Sequence, residues 1–111
     1  MKRQILFVGY DDLLQPEISE FLSRHGGVAR FAGTASMAIR ILGDHPISTV
    51  VLSMHQFGDA AILQYLNDFY PDIKILVSAT KDFDDAMNAF SKGNFSLLDS
   101  PMKLEELGKV L

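Results

Sequence analysis

The sequence predicts an α/β domain, a five-stranded parallel sheet wound into three layers with helices on both faces. Three observations carry that expectation. Short uncharged runs such as Ile5–Val8 and Thr49–Leu52 are apolar without alternation, as in strands buried on both faces. Stretches of helical periodicity separate them. The two patterns alternate five times with short connections, which right-handed crossovers turn into a doubly wound sheet.

The elements follow in order. Ile5 to Val8 is the first strand. Asp12 then offers an N-cap, with Gln15 at the capping-box position and Pro16 in the first turn. Leu14, Ile18, Phe21 and Leu22 share a helical face, and Gly26-Gly27 stops the helix. Val28 to Phe31 is a weaker strand. Thr34 caps a second helix that buries Ala38, Ile41 and Leu42 and ends at Gly43. Thr49 to Leu52, β-branched and uncharged, is the central strand. Gly58-Asp59 opens a third helix carrying Ile62, Leu63 and Leu66, closed by Pro71, and Ile73 to Val77 is the fourth strand. Asp82 caps a fourth helix with Ala86, Met87 and Phe90, ended by Gly93. Phe95 to Leu98 is the fifth strand, and Leu104, Leu107 and Leu111 mark a final helix.

A length of 111 residues fits a single domain over 1–111, and the amphipathic pattern running to Leu111 suits the N-terminal module of a longer protein. With 48% hydrophobic and 22% charged residues the composition is that of a folded globular chain rather than a disordered one. Net charge is −4 and no Lys/Arg run is present, which argues against direct nucleic-acid binding. The absence of cysteine excludes disulfides, thiolate metal sites and cysteine nucleophiles. Four apolar residues after Met1-Lys2-Arg3-Gln4 are too few for a signal core, and no run spans a bilayer, so a cytoplasmic location is expected.

In sheets of this kind sites form outside the carboxyl ends of the strands, where strand order reverses. There the sequence places Gly9-Tyr10-Asp11-Asp12, Ser53-Met54-His55, Ser78-Ala79-Thr80 and Asp99-Ser100-Pro101. With the Ser-Ala pair after the fourth strand, Gly93 before the fifth, the Ser100-Pro101 step and the Leu-Glu-Glu-Leu helix after it, nearly the whole chain resembles a response-regulator receiver domain of two-component phosphorelays. The resemblance implies the flavodoxin-like strand order 2-1-3-4-5. It also implies two carboxylates after strand one holding a divalent cation, an acceptor aspartate ending strand three, a Ser/Thr after strand four and a lysine before the proline. Such a set meets what phosphoryl transfer to a carboxylate needs: an acceptor oxygen, a cation and donors for the remaining oxygens.

The chain departs from that pattern at almost every position. Gly9 and Tyr10 align with the acidic pair, Ser53 with the acceptor, Ser100 with the lysine and Leu97 with an aromatic residue common in the family, and only Ser78 fits. A serine hydroxyl cannot form an acyl phosphate, so aspartyl phosphorylation by the usual route and Mg²⁺ binding are expected to be lost. Sliding the first loop by two residues would bring Asp11 and Asp12 onto the acidic pair, at the cost of an insertion after a buried strand, and Ser53 would remain a serine. Tyr10 is expected to plug the pocket, its hydroxyl bonding to Ser53, Ser78 or Ser100.

Sharper chemistry has bland competitors. Ser53 has His55 nearby but no nucleophile elbow, so a space-filling role is preferred to catalysis and no enzyme is expected. Asp11, Asp12, Asp59 and Asp99 read as helix caps and loop residues before they read as a displaced cation site. His25, His45 and His55 lack ligand spacing and read as surface residues, while Met37, Met54, Met87 and Met102 read as packing.

The expected function is that of a pseudo-receiver, a signalling module that contacts a protein partner or an adjacent output domain without aspartyl phosphate or other cofactor. The resemblance implies a partner or homodimer face on the fourth helix, fifth strand and last helix, carrying Phe83, Met87, Phe90, Phe95, Leu97 and Leu104. Two rivals stand beside it. One is an active receiver with a displaced acceptor at Asp11, Asp59 or Asp99; the other is a flavodoxin-like small-ligand binder, for which the loop after strand one lacks further glycines.

Overall fold

The computed structural model describes residues 3–10, 13–53, 61–78, 96–98, 104, 105 and 108. Strands β1 (Arg3–Val8), β2 (Gly27–Ala32), β3 (Ile47–Ser53), β4 (Lys74–Ser78) and β5 (Ser96–Leu98) form one parallel sheet in the order β2-β1-β3-β4-β5. Helices α1 (Gln15–Arg24), α2 (Ala35–Asp44) and α3 (Ala61–Phe69) connect the first four, and the predicted fold class and strand order are what the chain adopts.

Alternate residues of each central strand feed opposite cores. On one face Leu6, Val8, Val50, Leu52, Ile75 and Val77 meet Ala38 and Leu42 of α2 and Ile62 and Leu66 of α3. On the other, Ile5, Phe7, Val51 and Leu76 meet Ile18 and Leu22 of α1, with Leu104 packed alongside. This double burial is why the strands lack polar alternation. Each such side chain taken fully out of water contributes about 1.5–3 kcal/mol.

Several element boundaries differ from the sequence-based expectation, each for a local reason. The N-cap of α1 is Leu14, with no side-chain cap, rather than Asp12, and the first helical bond runs from the Ile18 N–H to the Leu14 carbonyl at 3.1 Å. A cap at Asp12 would put Pro16 at the fourth helical position, whose N–H must close the first turn, and proline has none. Leu14 is accordingly 43% exposed instead of facing the core. At the other end Gly26, at φ +76°, adopts the left-handed conformation that ends the helix, whereas Gly27 is already the first residue of β2. Helix α2 runs through Gly43 to Asp44; its true stop is Pro46, which holds His45 extended at φ −134°, ψ 147°. Met37 is 49% exposed and does not pack in the core.

Thr34 caps α2 as expected: its Oγ1 accepts from the Met37 N–H at 3.2 Å. Thr34→Ala should lower stability by about 1 kcal/mol, seen as a lower urea midpoint with an unchanged slope.

Strand β3 starts two residues earlier than its apolar run because of an irregularity against β1. Gln4 pairs with Ile47 but Ile5 pairs with Thr49, so Ser48 is an extra residue, exposed, with its hydroxyl donating to the Gln4 carbonyl at 3.3 Å. The extra residue shifts the alternation of β3 by one, so that Ile47 and Val50 lie on the same face.

Candidate functional site

The register places the candidate site at the carboxyl edge. Val8 pairs with Leu52, Ser53 with Ser78, and Ser78 with Leu98, so Gly9, Ser53, Ser78 and Leu98 form one row across four neighbouring strands. Strand order reverses between β1 and β3, and the crevice expected at that reversal is flanked by Gly9 and Ser53.

Gly9 is buried, and its N–H donates to the Ala32 carbonyl at 2.9 Å, one step beyond the β1 ladder. Its φ of +82° then turns the chain away from the sheet. An L-residue with a side chain pays about 1–2 kcal/mol in that conformation, so glycine suits this turn better than a carboxylate-bearing residue does.

Tyr10 follows, half-buried against the α1-side core. Its ring meets the Phe7 ring edge-on at 5.7 Å and 81°, and Phe7 in turn stacks on Phe31 at 5.6 Å and 27°. Three aromatic rings thus run from Tyr10, just after β1, to Phe31 on the edge strand β2. Edge-to-face pairs of this kind add about 0.5–1.5 kcal/mol beyond their burial. The supporting role of Phe7 and Phe31 was not anticipated from sequence; the signal available was Phe7 sharing its strand face with Ile5 two residues before it.

Ser53 ends β3 with only 6% of its surface exposed. Ser78 lies level with it, about 4.8 Å away in the hydrogen-bonding direction of neighbouring strands. The structure therefore brings Gly9, Ser53 and the Ser78 position into one row, with Tyr10 next to Gly9 in the chain and packed on Phe7. Asp11, Ser100 and Pro101 lie outside the described residues, as do Asp12, Asp59 and Asp99. Of the expected partner face, Leu97 is central in β5 and Leu104 is half-buried on the α1-side core, so part of the Leu104 side chain serves packing. Phe83, Met87, Phe90 and Phe95 are outside the described residues.

Chemically, the row Gly9, Ser53 and Ser78 offers hydroxyl and backbone groups but no carboxylate. Among the described residues no helix is long and apolar enough to cross a membrane.

No family model matches the chain. Two curated relatives, both described as NtrX-like response regulators, come from Rickettsia conorii and Rickettsia bellii. They are 25% and 24% identical to it over 108 residues, covering 93% of this chain and 23% of each relative. The chain thus spans about a quarter of the length of the curated relatives it matches. Among solved structures, the signal receiver domain of an HD domain-containing protein from Pseudomonas fluorescens Pf-5 superposes with a TM-score of 0.82 at 19% identity, covering 98% of this chain and 90% of that one. A response regulator from Thermotoga maritima gives 0.82 at 17%, covering 99% and 94%. NtrX from Brucella abortus gives 0.81 at 22%, covering 99% of this chain and 26% of that one. The chain has the receiver fold of two-component response regulators, and its sequence is similar to theirs over most of its length.

Proposed function

We propose that this chain is a pseudo-receiver: a cytoplasmic, non-enzymatic signalling module that works through protein contacts and whose conformation does not depend on aspartyl phosphate. The observation that carries the proposal is Ser53, which ends β3 almost fully buried and in register with Ser78. It occupies the position where the receiver resemblance requires an acceptor carboxylate. A hydroxyl there cannot give an acyl phosphate. Gly9 and Tyr10, at the two positions of the acidic pair, supply no hard anionic oxygen for Mg²⁺. The Tyr10 ring, directly after Gly9, packs edge-on against Phe7.

The partner is a protein, either an adjacent output domain or a separate chain. The relatives are about four times longer than the stretch matched here, which supports the first form.

Amide NMR of the purified domain, titrated with Mg²⁺ and then with beryllofluoride as an aspartyl-phosphate mimic, tests the proposal. Unchanged resonances at Gly9, Tyr10, Ser53 and Ser78 are expected. Saturable, Mg²⁺-dependent shifts there would overturn it and direct attention to Asp11, Asp59 or Asp99 as a relocated acceptor.

A further inference from the structure

At the amino edge of the sheet, the end away from the Ser53 row, the layer between the strands and α1 is not closed. A cavity of about 340 Å³ lies among the start of β1, the end of α1 and the start of β2. That volume is at the lower end of the range for small-ligand sites and well above the voids that close packing leaves. The buried Ile5 and Leu22 give it an apolar floor. Gly26, Gly27 and Gly108 contribute backbone but no side chain. In β2 the column on the α1 side reads Gly27, Ala29, Phe31; the last two pack on the core, and the first leaves its space unfilled.

Two side chains give the cavity its chemistry. The His25 ring stacks on Phe21 at 4.3 Å and 30°, and its Nδ1 lies 2.8 Å from the Phe21 carbonyl. A carbonyl only accepts, so Nδ1 carries a proton and the ring is fixed in orientation. Gly108 approaches the same Phe21 so closely that a Cβ there would lie 3.0 Å from its Cζ. Phe21 thereby ties His25 and Gly108, two parts of the cavity wall, to one anchored group. Arg3 also lines the cavity. It is already engaged in an interaction, yet a guanidinium carries five N–H donors and one contact does not exhaust them. None of the described lining residues is acidic, in a chain whose net charge is −4. The carboxyl end of α1 disfavours an anion, but it carries about half a charge against the full charge of Arg3.

We infer that this cavity is a binding site for a small organic carboxylate with a flat apolar body. The body lies on Ile5 and Leu22, where the missing side chain of Gly27 leaves room for it, and the carboxylate meets Arg3 and His25. A guanidinium matches a carboxylate with paired donors, and the apolar floor selects against small hydrophilic anions. The inference goes beyond the pseudo-receiver reading and does not depend on it, because none of these residues belongs to the Ser53 row.

The chain is titrated with benzoate and followed by amide NMR near physiological salt, so that diffuse surface attraction is screened, with benzylamine and acetate as controls. Saturable shifts at Leu22, His25, Gly26, Gly27 and Gly108 are expected with benzoate. Half-saturation at about 10 mM or below is the level that ordinary ligand efficiency gives a molecule of this size. Benzylamine should produce no such shifts, and acetate only weak ones that do not saturate. Gly27→Ala should keep the fold, because the added Cβ would meet Leu22 Cβ at 3.5 Å and the Arg3 carbonyl at 3.6 Å, both ordinary contacts. It narrows the cavity and should weaken benzoate roughly threefold or more; Arg3→Met, at an exposed strand start, should do the same by removing the charge. Absence of saturable benzoate shifts, their reproduction by benzylamine, or an affinity that either variant leaves unchanged would overturn the inference.

Discussion

Phe7→Ala is expected to lower the unfolding free energy by about 3–5 kcal/mol, the range for deleting a fully buried aromatic ring. Phe7 has no exposed surface and belongs to the core between the sheet and α1. It also lies between two other rings, Phe31 stacked on it and Tyr10 edge-on to it, so both would lose a partner. A domain of this size has about 5–15 kcal/mol in total, and the variant should therefore be partly unfolded at 37 °C. Urea titration followed by tyrosine fluorescence, which no tryptophan obscures, measures the change. A loss under about 1.5 kcal/mol would mean that the ring is not packed as described. The loss has a second consequence at the carboxyl edge. With Phe7 gone, Tyr10 should lose its fixed place, seen as averaging of its ring resonances.

Ser53→Asp is the second large effect, and it separates a lost acceptor from a lost site. The new carboxyl would sit where only 6% of the serine is exposed, in a row whose neighbours Gly9 and Ser78 carry no cation. Burial disfavours the ionised form, so the folded-state pKa should lie above the unfolded value. The sign follows from that direction. Above the folded-state pKa the variant must bury a charge in N but not in U, costing about 2–4 kcal/mol. As pH falls through the folded-state pKa toward the unfolded value, the carboxyl is neutral in both states and the penalty disappears. Stability difference from the parent should thus be large at pH 7 and small near pH 4. Mg²⁺ should not remove it, because Gly9 and Tyr10 offer no carboxylate to help hold the ion. Full rescue by Mg²⁺ at pH 7, with beryllofluoride then binding, would show that the pocket retains a cation site and would defeat the pseudo-receiver proposal.

Much of the site was legible in the sequence because strand ends are marked by where the apolar runs stop. Val8 to Gly9, Leu52 to Ser53 and Val77 to Ser78 are each a step from an apolar run to a small residue, and pairing in register makes these steps coincide in space. On the pseudo-receiver proposal, Gly9, Tyr10 and Ser53 stand at the carboxylate positions of the receiver pattern. The aromatic path Tyr10, Phe7, Phe31 was not legible, because it depends on β1 and β2 pairing with Phe7 opposite Phe31.

The sequence by itself determined the class of fold and the order of its elements. Unbroken apolar strands demand cover on both faces, and helices of one-sided periodicity supply it. It also determined local stops wherever a single residue forbids an alternative, as Pro16 and Pro46 do by lacking an N–H and restricting the residue before them. Only the tertiary structure decided the phase of β3. Ser48 is squeezed out between two paired residues, and that one extra step sets which side chains of the strand face α1 and which face α2 and α3. Alternation along a strand has period two, so nothing in a run such as Thr49-Val50-Val51-Leu52 can reveal its phase. The phase is set by which pairing buries most apolar surface on both sides of the sheet at once.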